Sequence, residues 1–202
     1  MVRGLEMFKK HFAGFEDNYV IIGGTACDII LQDTDMHPRA TNDIDMILSD
    51  VLGEPIGFPL IPIPIGEDIS SLSAILMDED YYTHTVGNSI IEDGIRIANP
   101  ASLLCLKVKA FLNLTEGKKT NPNIRSTDIK KHRDDVFKLL AMRIDPLTPI
   151  ELPAEIKKNV GDFIRLIEQT LPNQSLQDSL QRTNENIHGY LDIMKEIFGL
   201  DL

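Results

Sequence analysis

Apolar positions change their spacing along the chain, and the changes mark its elements. Residues 4–16 place Leu5, Phe8, Phe12 and Phe15 at helical intervals, which predicts an amphipathic helix packed on the first strand. Val20-Ile21-Ile22 then runs into Gly23-Gly24, the pattern of a buried strand (19–23) ending in a tight turn. A helix over 25–32 follows. After a polar loop (33–41), Asp43-Ile44-Asp45-Met46-Ile47-Leu48 reads as a second strand. Residues 50–66 carry Pro55, Pro59, Pro62 and Pro64, which cannot donate to a ladder. They predict an extended connection and no central strand.

Residues 68–77 read as a short helix capped by Asp68 or Ser70. Tyr81 and Tyr82 suit core packing, with stacking on a base as the alternative use. Residues 88–98 predict a hairpin around Glu92-Asp93-Gly94. Asn99 then caps a helix opened by Pro100, running to Leu114. A polar segment, 115–127, reads as a mobile loop. Asp128–Leu140 is helical, and two amphipathic helices follow at about 153–171 and 175–198.

The 202 residues suffice for one core, or one core with a helical appendage. Hydrophobic content of 43% is ordinary for a globular protein, and no apolar run reaches 18 residues, so no membrane span is expected. Cys27 and Cys105 read as buried small hydrophobes in a reducing cytoplasm. The net charge of −11 disfavours nucleic-acid binding by the whole surface. The charge is uneven, however. Lys107 to Lys138 holds nine bases and four acids, a local basic stretch suited to a phosphate substrate or to a solvated helix face.

The chemistry concentrates between residues 20 and 48. The first N–H groups of a helix beginning near Thr25 form an anion site fit for phosphate. Strand period two places Asp43 and Asp45 on one face and Ile44 on the other. Two carboxylates so close repel each other unless a cation lies between them, and hard oxygen ligands at this spacing suit Mg²⁺. The bland alternative is a turn followed by two solvent-facing acids.

Gly23-Gly24-Thr25-Ala26, a helix, then Arg39-x-Thr41-x-Asp43-Ile44-Asp45 resembles the nucleotidyltransferase fold shared with DNA polymerase β, and within it the AbiEii toxin-type branch. Pro100, Leu103, Leu104, Lys107 and Ala110 match a further motif of that family, and Lys131 to Phe137 match its last helix loosely. The resemblance implies an α/β (α+β) nucleotidyltransferase core, 1–145, with a small mixed sheet flanked by helices, and a C-terminal helical subdomain, 146–202, packed on it. It implies Mg²⁺ (or Mn²⁺) on Asp43 and Asp45, and a nucleoside triphosphate held by Gly23, Gly24 and Thr25, with Arg39 and Lys107 on its phosphates. Asp135 would serve the acceptor hydroxyl or orient a ligand, an intrahelical pair with Lys131 or Lys138 being the plain alternative. The acceptor would be RNA (tRNA) or protein, with a cognate antitoxin as a possible partner.

The family's third carboxylate, on a further strand, has no match between Leu48 and Ile61. Either a segment near 49–60 is missing or the metal set is incomplete, which leaves two other functions open. One is a catalytically inactive nucleotide- or partner-binding module. The other is a small-molecule transferase of the aminoglycoside type.

Overall fold

A computed structural model describes residues 4–35, 43–48, 63–65, 69–74 and 78–201. The chain is a mixed α/β protein. It divides into two compact units, Met1–Leu103 and Leu104–Leu202.

The first unit is built on a six-stranded sheet. Its strands are β1 (Tyr19–Ile22), β2 (Asp43–Leu48), β3 (Ile63–Ile65), β4 (Ile69–Ala74), β5 (Ser89–Glu92) and β6 (Ile95–Ala98), in the spatial order β3-β4-β2-β1-β6-β5. β1 runs antiparallel to β2 and parallel to β6, while β4 runs parallel to β2. All four residues of β1 are buried, as expected of a strand covered on both faces. Helix α1 (Leu5–Phe12) meets β1 through aromatic contacts: Phe8 lies edge-on to Tyr19 at 5.1 Å and stacks on Phe12 at 4.4 Å. Helix α2 (Gly23–Leu31) follows β1 without an intervening loop, and α3 (Glu79–Gly87) buries Tyr81 and Tyr82 in the core.

The first unit corrects the expectation for residues 68–77. Ile69–Ala74 is strand β4, where a helix was predicted. Its three serines are weak helix formers because their hydroxyls compete for the backbone. Extended, the segment pairs with β2 along the run Asp43–Met46, and tertiary pairing overrides a weak local preference. The proline-rich stretch behaves as its chemistry requires where it is described: Ile63-Pro64-Ile65 is the edge strand β3. The predicted hairpin is β5–β6, with Asp93 and Gly94 both at positive φ in its turn.

The second unit is helical. Its elements are most of α4 (Pro100–Gly117), then α5 (Ser126–Arg143), α6 (Ala154–Thr170), α7 (Gln174–Leu180) and α8 (Asn184–Ile197). Asn99 accepts from Ser102 N–H at 2.8 Å, the predicted cap. Segment 118–125 is tied down, with Asn121 N–H on Gly117 C=O at 2.9 Å and Lys118 Nζ on Ile124 C=O at 2.7 Å. Phe111, Phe137 and Phe163 form an aromatic cluster, and Ile156, Val160, Ile187, Leu191 and Met194 are fully buried.

The second unit holds another correction. The single helix expected over 175–198 is two helices. Gln181 adopts a left-handed conformation (φ 53°) that ends α7, and Thr183 with Asn186 forms a reciprocal capping box that starts α8. The signal, Thr183-x-x-Asn186, is a weaker variant of the Glu or Gln form, and the apolar periodicity runs across the break.

Candidate functional site

In the first unit the glycine turn and the aspartate strand meet. β1 ends at Ile22, which is in register with Asp45 on the antiparallel β2. The chain then turns through Gly23 at φ +69° into α2. A side chain at Gly23 would be strained there, and it would also collide with Asp45. A Cβ built at Gly23 runs into Asp45 Oδ2 and stands 3.1 Å from its Cβ and 3.2 Å from its Cγ. Glycine at this position is what lets the Asp45 carboxylate lie against the start of α2.

That helix start has an anion-binding character of its own. The first N–H groups of a helix have no intrahelical acceptor, and the dipole adds positive potential. The first turn of α2 holds no acidic residue of its own, and the carboxylate that lies against it is that of Asp45. Gly24 is half-buried and Thr25 fully buried, so the first turn is anchored in the core. Ile44 and Met46, on the opposite face of β2 from Asp45, are buried and fix the strand's orientation. Asp45 is half-buried.

Asp43 lies two residues earlier on β2, at the matching strand position. The parallel neighbour β4 sets Ser71 in register with Asp43 and Ser73 in register with Asp45. Sequence reasoning missed this alignment because it read 68–77 as helix. Among the described residues no group of three His, Cys, Asp or Glu side chains is placed to hold a metal ion. Arg39, Thr41 and residues 49–60 lie outside the described residues.

In the second unit Lys107 of α4 and Asp135 of α5 form a buried ion pair. Nζ stands 2.8 Å from Oδ2, and the two side chains are only 3% and 4% exposed. The partner of Asp135 is therefore on another helix, not Lys131 or Lys138 of its own. The pairing has a legible signal. Each residue interrupts an apolar helix face, Leu103-Leu104-x-x-Lys107-Val108 and Asp135-Val136-Phe137, and buried charges of opposite sign pair. Just before Asp135 on α5, Arg133 sets Nε 2.8 Å and Nη2 2.7 Å from Asp134 Oδ1, and Asp134 accepts from Ser179 of α7 at 2.5 Å.

His132 sits beside the Lys107–Asp135 pair. Burial, with the positive charge of Lys107 next in weight, pushes its pKa down to about 4, so the ring is neutral at pH 7. Its Nδ1 is buried with no hydrogen-bond partner. Sequence reading gave His132 no role. Much of the basic stretch is locally neutralised: Lys119 pairs with Glu116, Arg125 with Asp128 and Lys109 with Glu155. Cys27 and Cys105 are both buried, and burial pushes the Cys105 thiol up to about 12.

No helix among the described residues is long and apolar enough to cross a membrane. Compared with protein-family models, with curated proteins and with solved structures, the chain matches none.

Proposed function

We propose that the chain is a Mg²⁺-dependent nucleotidyltransferase of the DNA polymerase β-like fold, acting in the cytoplasm as a toxin of the AbiEii type. It would move a nucleoside monophosphate from a triphosphate to a hydroxyl of tRNA or of a protein. The observation that carries the proposal is the Asp45 carboxylate lying against Gly23, where β1 turns into α2. A carboxylate at Asp45 in register with the end of β1, a second aspartate two residues earlier on the same strand, and a helix N-terminus beside Asp45 suit a divalent cation shared with phosphate oxygens. The donor set is all oxygen, which fits Mg²⁺ or Mn²⁺.

In this reading the N–H groups of Gly23, Gly24 and Thr25 hold the triphosphate, and Gly23 keeps the approach open by having no side chain. Bound Mg²⁺ would neutralise charge on the phosphates. The acceptor oxygen attacks the α-phosphorus, its bond to the bridging oxygen breaks, and pyrophosphate leaves. Arg39 is assigned to phosphate charge, and the acceptor's proton passes to water. Within the helical unit the 2.8 Å ion pair supports a role for Asp135 in holding Lys107, since a buried carboxylate fixes the ammonium it binds.

A second reading is favoured by one observation. The strand beside Asp43 and Asp45 presents Ser71 and Ser73 in register, not a carboxylate. A module that binds nucleotide without transferring it would need no third acid.

One experiment separates the two. The chain is incubated with labelled triphosphates, Mg²⁺ and total tRNA or cell protein. Label should enter an acceptor, and the double substitution Asp43→Ala, Asp45→Ala should abolish it. Thermal stabilisation by triphosphate with no label transferred to any acceptor would establish the binding module instead. Toxicity on expression that disappears in the same double variant supports the toxin assignment and the search for a cognate antitoxin.

A further inference from the structure

Strand β5 closes one end of the sheet, with β6 on its inner side. The β5–β6 turn has two residues, Asp93 (φ 52°) and Gly94 (φ 75°), the positive-φ pair of a tight hairpin. In such a hairpin the flanking pair, Glu92 with Ile95, exchanges hydrogen bonds, and hydrogen-bonded pairs alternate from there. Ile91 and Ser89 therefore turn their N–H and C=O groups away from β6, toward the open side of the strand.

Open edges are ordinarily guarded by lysine, proline or a covering element. The side chains here are isoleucines: Ile90 is 37% exposed and Ile91 57%. Phe15, 58% exposed, immediately precedes Glu16, whose carbonyl accepts from Arg96 Nε at 2.7 Å. Arg96 is the β6 partner of Ile91, so apolar side chains flank it from two elements. Acids rim them: Glu16, Asp17, Glu92 and Asp93. Two nearby bases are engaged, Lys9 with Asp93 and Glu6, and Arg96 with Asp17 at 2.5 Å.

Charge decides which occupant suits this edge. The first unit, residues 1–103, holds seventeen acids and five bases. A second copy would bring the same excess of negative charge against it. A basic, extended polypeptide segment meets the complementary field and can pair with the outward groups of Ile91 and Ser89. We infer that β5 is a docking edge that adds a strand from a basic partner polypeptide, with apolar side chains of that strand against Ile91 and lysine or arginine toward Asp17 and Glu92. This inference is independent of the proposed transferase reaction.

The test uses the whole chain and three labelled peptides, each blocked at both ends. One alternates lysine and valine, one alternates glutamate and valine, and the third is the lysine peptide with alternate amides N-methylated so that it cannot pair. Fluorescence anisotropy should show saturable binding of the first. The other two should bind at least about tenfold more weakly, the scale of one or two lost hydrogen bonds. Amide exchange at Ile91 should slow on binding. Ile91→Pro removes the outward N–H at an edge position that accepts proline, and should cut affinity about tenfold at unchanged melting temperature. Should that variant not fold, Ile91→Thr, which keeps strand propensity and removes apolar contact, should show a smaller loss. Absence of binding, equal binding of the methylated peptide, or affinity unmoved in both variants would overturn the inference. So would a dimer in sedimentation that Ile91→Pro breaks, because the edge would then belong to a second copy.

Discussion

Gly23 and Asp45 are each explained by the other. Replacing Gly23 with alanine imposes a positive φ on an L residue and drives a methyl into Asp45 Oδ2. The expected cost is about 1–3 kcal/mol, read by urea denaturation, together with loss of any triphosphate-dependent rise in melting temperature. Lys107 and Asp135 make a separate case. Removing either partner leaves a buried charge and should cost about 3–5 kcal/mol, whereas Lys107→Met combined with Asp135→Leu should recover most of that loss. His132 yields a pH prediction. Its folded pKa, about 4, lies below the ordinary value, so between roughly pH 6.5 and pH 4 the unfolded chain takes up a proton that the native ring refuses. Stability from this group is complete above pH 6.5 and is lost as pH falls, by up to roughly 3 kcal/mol at pH 4. Denaturation midpoints from pH 7.5 to pH 4 should fall less steeply in His132→Gln. An equal slope in the two proteins would remove His132 from that account.

At the scale of elements, strong periodicity was readable and weak local preference was not. The apolar run Val20–Ile22, the glycine pair and the alternating Asp43–Leu48 segment identified β1, the start of α2 and β2. Asn99-Pro100 marked the start of α4, and Asp93-Gly94 marked the hairpin. Residues 69–74 were illegible as a strand because three serines and one leucine fit either period, and only the bare side of β2 decides between them. The α7–α8 break was hidden because Leu176, Leu180, Ile187, Leu191 and Met194 keep a buried face through it. Within the candidate site, the glycine turn and the aspartate pair were legible as motifs, but the antiparallel pairing that lays Asp45 against Gly23 was not, because a period names no strand neighbour. The cross-helix partner of Asp135 was signalled only by two charges interrupting apolar faces, since helical spacing names neighbours only within one helix. Thr183→Ala removes one half of the capping box and should cost about 1 kcal/mol, measurable as a shift in denaturation midpoint. An unchanged midpoint would mean that packing alone starts α8.

Across the molecule, charge separates the two units. The first carries twelve more acids than bases, and residues 104–202 carry fifteen bases against fourteen acids. If the acceptor is RNA, its phosphates should be met by the bases of the helical unit, among them Lys130 and Lys131 of α5. Reversing both to glutamate should lower labelling of tRNA several-fold at moderate salt and leave the triphosphate-induced thermal shift in place. Labelling that is indifferent to both charges would point to a protein or small-molecule acceptor. The most direct measurement is calorimetric titration of the chain with a non-hydrolysable triphosphate, with and without Mg²⁺, for the native chain and for Asp45→Asn. One saturable site should appear only when Mg²⁺ is present, and Asp45→Asn should weaken it at least about tenfold at unchanged melting temperature. Binding that needs neither the metal nor Asp45, or no binding at all, would contradict a phosphate and cation site at the glycine turn.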